Sequence, residues 1–378
     1  MIKRFLALTT SLFMVLSLGG CWNYRGLDQM DIVVGIAIDF DKETNMYKVS
    51  YEVVDLIGAD KNSAVKGIIV EAEGKTLFDA ARNAKRKEAD RLFFGSAYIV
   101  VISQEIAREI GISHVLEWFL RDGECRETMQ VAVSQCETAK EVLESTEDDA
   151  GIMSVKINDI VLEDNGVTAS VVSRMLFEIF DDINSPKDSA MLAALTRTQV
   201  GDLMTAEVNG TAVCRGDMLV GFLSPDESKY ALFVSDQLKG GILTLSMAGL
   251  QTDDISLEIF ENATKKSYRY EQGRIIIMIE TDTRVAVAEN HSHSNIMNAD
   301  FVKDIEDAAA KMIEQNIADM MSKVQNELKA DIFGFGEMIY KRDLSLWRQI
   351  SDSWCDLFPQ LEVEVSSTVR ITNSGFIR

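Results

Sequence analysis

The chain is poor in three residue types that would each have signalled a function. It has 3 prolines, 3 histidines and 5 cysteines in 378 residues. Three histidines leave little room for a His-rich metal centre, and five cysteines are too few for a disulfide-dense scaffold. Basic residues are also scarce: 38 Lys and Arg stand against 60 Asp and Glu, for a formal charge of −22. Binding nucleic acid through its phosphates needs clustered cations, and so does electrostatic adhesion to anionic lipid, so the overall balance argues against both. Beyond the first twenty residues no apolar run reaches the ~20 residues of a membrane span; Gly95–Ser103 and Arg274–Ile279 are apolar but strand-length. No Gly-rich phosphate loop, nucleophile elbow or zinc-protease signature occurs. What the chain does have is 47% apolar residues and 26% charged, the composition of a folded protein with sizeable cores, and a length that suggests two or three domains.

The first twenty residues read as an export signal rather than part of the fold. Lys3 and Arg4 give a positive start, a mostly apolar run extends from Phe5 to Leu18, and Gly19-Gly20 supplies small residues before Cys21. A cysteine directly after such residues resembles a bacterial lipobox, in which the thiol of Cys21 takes a diacylglyceryl group and becomes the new N-terminus. Cleavage there removes two cations and no acids, leaving 36 against 60, a charge of −24. Two or three acyl chains on one cysteine anchor a protein without help from basic residues, so an acidic body is compatible with a membrane address.

The rest of the chain reads as mixed α and β. Met30–Phe40 and Met46–Ile57 form a hairpin across the turn Asp41–Asn45, and Gly67–Glu73 is a third strand. A helix over Thr76–Arg91 puts Leu77, Ala80, Ala81 and Ala84 on one face and carries a basic patch of Arg82, Lys85, Arg86 and Lys87. Strands at Ala97–Ile102 and Met129–Ser134 alternate with short helices at Gln104–Ile110, Ser113–Arg121 and Ala139–Glu144, giving an α/β domain over residues 21–145. Residues 146–200 read as a middle module or elaborated linker, acidic and weakly periodic to Gly166, then mostly helical over Thr168–Phe180. Residues 201–378 read as a C-terminal α/β domain. Strands are expected at Thr211–Arg215, Met218–Leu223, Tyr230–Val234, Ile242–Met247, Ile255–Phe260, Ser267–Tyr270 and Arg274–Ala288. A long helix over 298–331 follows, with a stripe of Phe301, Ile305, Ala309, Ile313, Ile317, Met320, Val324 and Leu328, then a helix over Leu344–Leu357 and a closing strand over Leu361–Ile371. The fold class is thus mixed α+β, multidomain, each domain a mixed or antiparallel sheet packed with helices.

An ordered set of short motifs gives this pattern a likeness. Cys21-Trp22-Asn23-Tyr24-Arg25 is followed by Ile32-Val33-Val34-Gly35-Ile36-Ala37-Ile38-Asp39; Gly74-Lys75-Thr76 opens a helix, Leu92-Phe93-Phe94-Gly95 precedes a strand, and Ala107–Ile112 and Arg121-Asp122 come next. Near the end stands Ala330-Asp331-Ile332-Phe333-Gly334-Phe335-Gly336, then Trp347, Trp354 and Phe358. In this order they resemble the Ger(x)C family, lipoprotein C subunits of spore germinant receptors. The chain departs from the family pattern at Asn23, where an acid is usual, at Ser96, where a His often stands, and at Asp343-Leu344-Ser345, where a Pro is common. The resemblance implies a non-enzymatic, multidomain α/β subunit with a diacylglyceryl and N-acyl lipid on Cys21 and no other cofactor. It implies attachment to the outer face of the inner spore membrane and partnership with integral-membrane A and B type receptor subunits, in a complex that detects small-molecule germinants.

Individual residues carry less. Trp22, Arg121 and Asp122 are candidate interface positions, although Arg121-Asp122-Gly123 also reads as an ordinary helix end with a favourable cation. Asp331–Gly336 reads as a turn in which two glycines let Phe333 and Phe335 face inward, with a hinge as the other reading. Trp347 and Trp354, seven apart, share a helix face and read as core. His291-Ser292-His293 reads as a solvated loop rather than a metal site, and Cys125 and Cys136 as free thiols rather than a disulfide. No residue stands out as catalytic. Three functions remain open: an interaction subunit, a binder of small solutes, which would need a deep pocket, and an envelope enzyme, which would need clustered titratable groups in one.

Overall fold

A computed structural model describes residues 2–5, 9, 26, 29–55, 65–88, 90–144, 151–246, 255–291 and 298–373. Among these, the chain builds two sheets. The first has nine strands: β1 (Met30–Asp41), β2 (Met46–Asp55), β3 (Lys66–Gly74), β4 (Arg91–Phe93), β5 (Ile99–Ile102), β6 (Gln130–Ser134), β7 (Ser189–Val200), β8 (Leu203–Arg215) and β9 (Met218–Leu223). Their order is β3-β2-β1-β5-β6-β7-β8-β9, with β4 beside the first residues of β1. β1, β5, β6 and β7 run parallel to their neighbours in the centre, and antiparallel hairpins finish both sides.

Helices cover both faces of this sheet, which is why its central strands read as continuous apolar runs. On one face α1 (Leu77–Ala84), α2 (Ser113–Arg121) and α5 (Leu176–Asn184) pack Ala80, Leu116, Phe119 and Ile179 onto Ile36, Ile38, Val100 and Ile102. On the other, α3 (Lys140–Leu143) and α4 (Met153–Val167) pack Val142, Ile157 and Val161 onto Ala37, Ile99 and Val101. Strands β7 to β9 extend the sheet begun by the first 145 residues, so pairing runs through residue 200 rather than stopping there.

The second sheet has the order β10 (Ile242–Leu245), β11 (Ile255–Glu271), β12 (Arg274–Asn290) and β13 (Glu362–Asn373). β11 and β12 form one long hairpin, so the two strands expected at Ile255–Phe260 and Ser267–Tyr270 are a single strand with register shifts between Ser256 and Leu257 and between Ile259 and Glu261. Gln272 and Gly273, both at positive φ, make its tight turn. β13 closes the sheet parallel to β12. The long helix α7 (Ala299–Lys323) lies against it, burying Ile305, Ala309, Ile313, Ile317 and Met320 as the spacing requires. Its regular part ends eight residues before the expected 331, in a π-turn over Val324–Leu328 that stops at Lys329 in the left-handed region. Two α7 carboxylates cover the outer edge of β13: Glu314 accepts from the Ser367 N–H at 2.9 Å and Glu306 from that of Ile371 at 2.8 Å.

Four expected elements differ. The helix expected over Thr76–Arg91 ends at Ala84, and Arg91 opens β4; the helix expected over Leu344–Leu357 is interrupted at Ser351–Ser353. Tyr230–Val234 is not a strand but part of helix α6 (Pro225–Ser235). The segment is buried on every side, Tyr230 to Val234 all lying in the core, and so carries no periodicity to tell helix from strand. The deciding signal stands upstream: Ser224 and Glu227 form a reciprocal capping box around Pro225 at the first turn. The helix expected over Thr168–Phe180 begins only at Leu176. Asp164 ends the preceding helix by accepting from the Ser170 and Val171 backbone amides and from the Thr168 and Ser170 hydroxyls, while Ala169 takes a positive φ; these bonds hold Thr168–Val171 out of helical geometry.

Asp331 organises the C-terminal end. Fully enclosed, it accepts from the backbone of Phe335 at 3.0 Å and of Gly336 at 2.7 Å, and from the Trp354 indole at 3.2 Å. Gly334 supplies a φ of 69°, and a Cβ on Gly336 would stand 2.8 Å from the Trp354 ring nitrogen. Phe333 and Phe335 therefore turn inward, and Phe335, Phe358, Trp354 and Trp347 pack as a chain of rings with centroids 5.5 to 6.5 Å apart. The turn is structural, as its two glycines suggested. α8 (Phe335–Arg342), α9 (Leu344–Ile350) and α10 (Trp354–Leu357) are the short helices that this turn launches. Removing the carboxylate leaves three buried donors without an acceptor, each costing about 1–3 kcal/mol. Asp331→Ala is expected to lower unfolding stability by about 3 kcal/mol or more, read as a lower urea midpoint at unchanged slope.

Candidate functional site

A groove of about 260 Å³ with mixed chemistry lies between α1, β4, α2 and the turn after α2. Its wall is set by α1. Thr76 caps that helix by accepting from the Asp79 N–H at 3.1 Å, and Asp79 returns a bond to the Lys75 N–H at 3.0 Å. Gly74 allows the helix to start directly off β3, since a Cβ there would meet the Ala80 nitrogen at 2.2 Å. Leu77, Ala80 and Ala84 are buried beneath, which leaves Phe78 on the outer side, 52% exposed, with the Arg82 guanidinium 4.8 Å from its ring centre. Lys85 continues the wall.

The floor comes from elsewhere in the chain. Leu92 of β4 and Phe94 are nearly enclosed, and Phe94 stands edge-on between Tyr51 and Trp118 with centroids 5.8 Å from each. The Tyr51 hydroxyl has no hydrogen-bond partner among the described residues, and burial pushes its pKa up. The far rim is Asp122 and Glu124. Asp122 accepts from the Glu124 N–H at 3.0 Å, and Glu124 pairs with Arg91. Aromatic floor, cationic wall and acidic rim together suit a ligand or partner segment that offers both apolar and charged groups.

Of the three candidate interface residues, Asp122 lines this groove. Arg121 ends α2, is 80% exposed and pairs with Glu117 at 3.1 Å, so the plain helix-end reading describes its contacts. Trp22 and Cys21 lie outside the described residues. Sequence reasoning found the basic patch and Asp122 separately, and missed Phe78, Arg91, Phe94 and Trp118; the one available signal was an aromatic four residues before Arg82 on a helix otherwise faced with alanine.

The other positions singled out are not brought together. His291 bonds Glu289 at 2.7 Å on the surface, and His293 lies outside the described residues. Among the described residues no cluster of His, Cys, Asp and Glu could hold a metal ion. Cys125, Cys136, Cys214 and Cys355 are free thiols, Cys214 in the core and Cys355 exposed. Burial, with Asp122 and Glu124 adding to it, pushes the Cys125 thiol up to about 12, which keeps it protonated and unreactive at neutral pH. No described helix is long and apolar enough to cross a membrane.

A second unusual group is Glu52 on β2, buried against the start of α4. It accepts from the Met153 N–H at 2.6 Å, the Ser154 N–H at 2.7 Å and the Ser154 hydroxyl. A Cβ on Gly67 would stand 2.4 Å from its carboxylate, so the glycine makes room for it. Burial pushes its pKa up to about 7 against the pull of those two amides.

Comparison with known proteins accounts for nearly the whole chain. A family model described as spore germination protein N-terminal domain matches residues 23–197, and one described as spore germination B3/GerAC like, C-terminal, matches residues 209–375. Among curated relatives from Bacillus subtilis (strain 168), spore germination protein B3 is 23% identical over 375 residues, covering 97% of this chain and 96% of that protein. Spore germination protein KC is 23% identical over 397 residues, covering 99% and 97%. The crystal structure of the GerBC protein shares the fold, with a TM-score of 0.60 at 20% identity over 90% of this chain and 97% of that one.

A carboxyl whose folded pKa lies above its unfolded value binds more protons when folded, so stability falls as pH rises between the two values. For Glu52 that window runs from the ordinary 4.5 to about 7. Between pH 5 and pH 8 the wild-type stability is expected to fall relative to Glu52→Gln by on the order of 3 kcal/mol, measured by urea unfolding of both at each pH.

Proposed function

We infer the role of this chain from its kinship, for it belongs to the Ger(x)C family of spore germination proteins. It acts in spore germination as the lipid-anchored C subunit of a germinant receptor: a non-enzymatic interaction subunit held at the outer face of the inner spore membrane by acyl chains on Cys21. There it meets integral-membrane A and B type subunits. The observation that carries this reading is the match of the two family models, in order, along nearly the whole chain, joined to the signal-like start that ends at Cys21. An acidic body suits the role, since the lipid and not the net charge supplies attachment.

The expected outcome of Cys21→Ala is loss of the subunit from spore membranes and a failed germination response to nutrient. Normal membrane retention with normal germination would rule the anchor out.

A second reading, direct binding of a small-molecule germinant by this subunit, has the groove beside Phe78 in its favour. It predicts saturable heat on titrating the purified protein with candidate germinants, lost in Trp118→Ala; no heat with any of them leaves the interaction reading alone.

A further inference from the structure

The charge of the chain is unevenly spread. From Lys75 to Arg91 there are six Lys and Arg against three Asp and Glu, in a protein with 22 more acids than bases. Two of those three acids act locally. Asp79 caps its own helix through the Lys75 and Asn83 nitrogens, and Asp90 acts on Asp31, whose pKa is pushed up first by burial and then by the Asp90 charge. Arg82, Lys85, Arg86 and Lys87 are all exposed. Phe78 stands out from the same helix with Arg82 stacked over it. An exposed aromatic with one cation stacked on it, and three more in the turn that ends its helix, matches the chemistry of a membrane interface, where the ring enters the headgroup layer and the cations meet lipid phosphates.

The chain's entry point limits which face can meet a bilayer. Met30 is the register partner of Arg91, and Asp31 of Leu92, so β1 begins beside the groove. Cys21 stands nine residues before Met30, a tether of at most about 32 Å. A lipid on Cys21 therefore keeps Met30, and β4 beside it, within that distance of the bilayer, and Phe78, Arg82 and Lys85 line the same groove as Arg91 and Leu92.

We propose that the face formed by α1 and the turn after it, with Phe78 and Arg82 on the helix and Lys85 and Arg86 in the turn, rests on an anionic lipid surface, fixing how the anchored body stands on the membrane. This rests on the reading of Cys21 as lipid-bearing. Anchoring and orientation then have separate causes: acyl chains hold the protein near the bilayer, and a local basic patch selects which side faces it. The rest of the acidic surface is repelled from the same lipid and reinforces the choice.

The test uses the mature lipidated protein reconstituted into vesicles of phosphatidylcholine alone or with three parts in ten phosphatidylglycerol. A photoreactive benzoyl-phenylalanine replaces Phe78 in one sample and Tyr270, an exposed residue beside the β11–β12 turn, in another. Protein retained on the vesicles is measured separately from lipid adducts found by mass spectrometry. Adducts at position 78 and not at 270 are expected on the anionic vesicles. They should fall about fivefold for each cation removed in Arg82→Gln, Lys85→Gln and Arg86→Gln, with retention unchanged. Retained protein with equal adducts at both positions, or with adducts indifferent to the three cations, overturns the proposal and leaves the anchor standing. Protein that is not retained overturns the anchor reading and the proposal with it.

Discussion

The C-terminal half of this protein hangs on one carboxylate. Asp331 sits where the π-turn after α7 has ended, buried, and holds the backbone of the next turn and the Trp354 ring at once. Those bonds decide where Phe335 and Phe358 stack, and Gln325 completes the arrangement by donating to the Phe358 and Leu361 carbonyls just ahead of β13. Lys266, reaching from β11 to the Phe333 carbonyl, ties the same turn to the long hairpin. Burial pushes the Asp331 carboxyl above its ordinary range, against the pull of the Gly336 and Phe335 amides; a buried acid is otherwise costly, and here three N–H donors replace its hydration, which makes the site intolerant of change.

How much of this was legible depended on whether the determining contacts were local. The stripe of α7 and the β1–β2 hairpin follow from spacing alone, and the structure places their residues where that spacing requires. Tyr230–Val234 failed because a segment buried on all sides has no polar face to set its period. Thr168–Met175 failed because Asp164 outcompetes helical bonding through four short contacts that propensity does not count. The groove was legible only in fragments. Its basic wall and Asp122 lie about forty residues apart and meet only because β4 pairs in parallel with the start of β1, a crossover that no short window of sequence contains.

The same crossover joins the two scales of charge in the molecule. Summed over the chain, acids exceed bases and suggest repulsion from anionic surfaces. Resolved on the fold, cations gather on α1 and the turn after it, close to where β1 begins, and Glu124 of the turn after α2 pairs with Arg91 of β4 at the rim. Net charge speaks to the molecule at a distance, and the distribution speaks to it at contact.

The closing strand bears on how the chain is made. The first sheet is complete once Leu223 has been synthesised, but the second lacks its last member until Asn373, because β13 pairs with a strand laid down before α7. A chain stopped short of that point would carry a finished N-terminal sheet beside β12 with an open edge, and the Glu306 and Glu314 carboxylates that should meet Ser367 and Ile371 would have nothing to bind. Until β13 is made, β12 presents a bare row of backbone donors and acceptors, and a chain cut before it exposes that row as a place for another strand to pair.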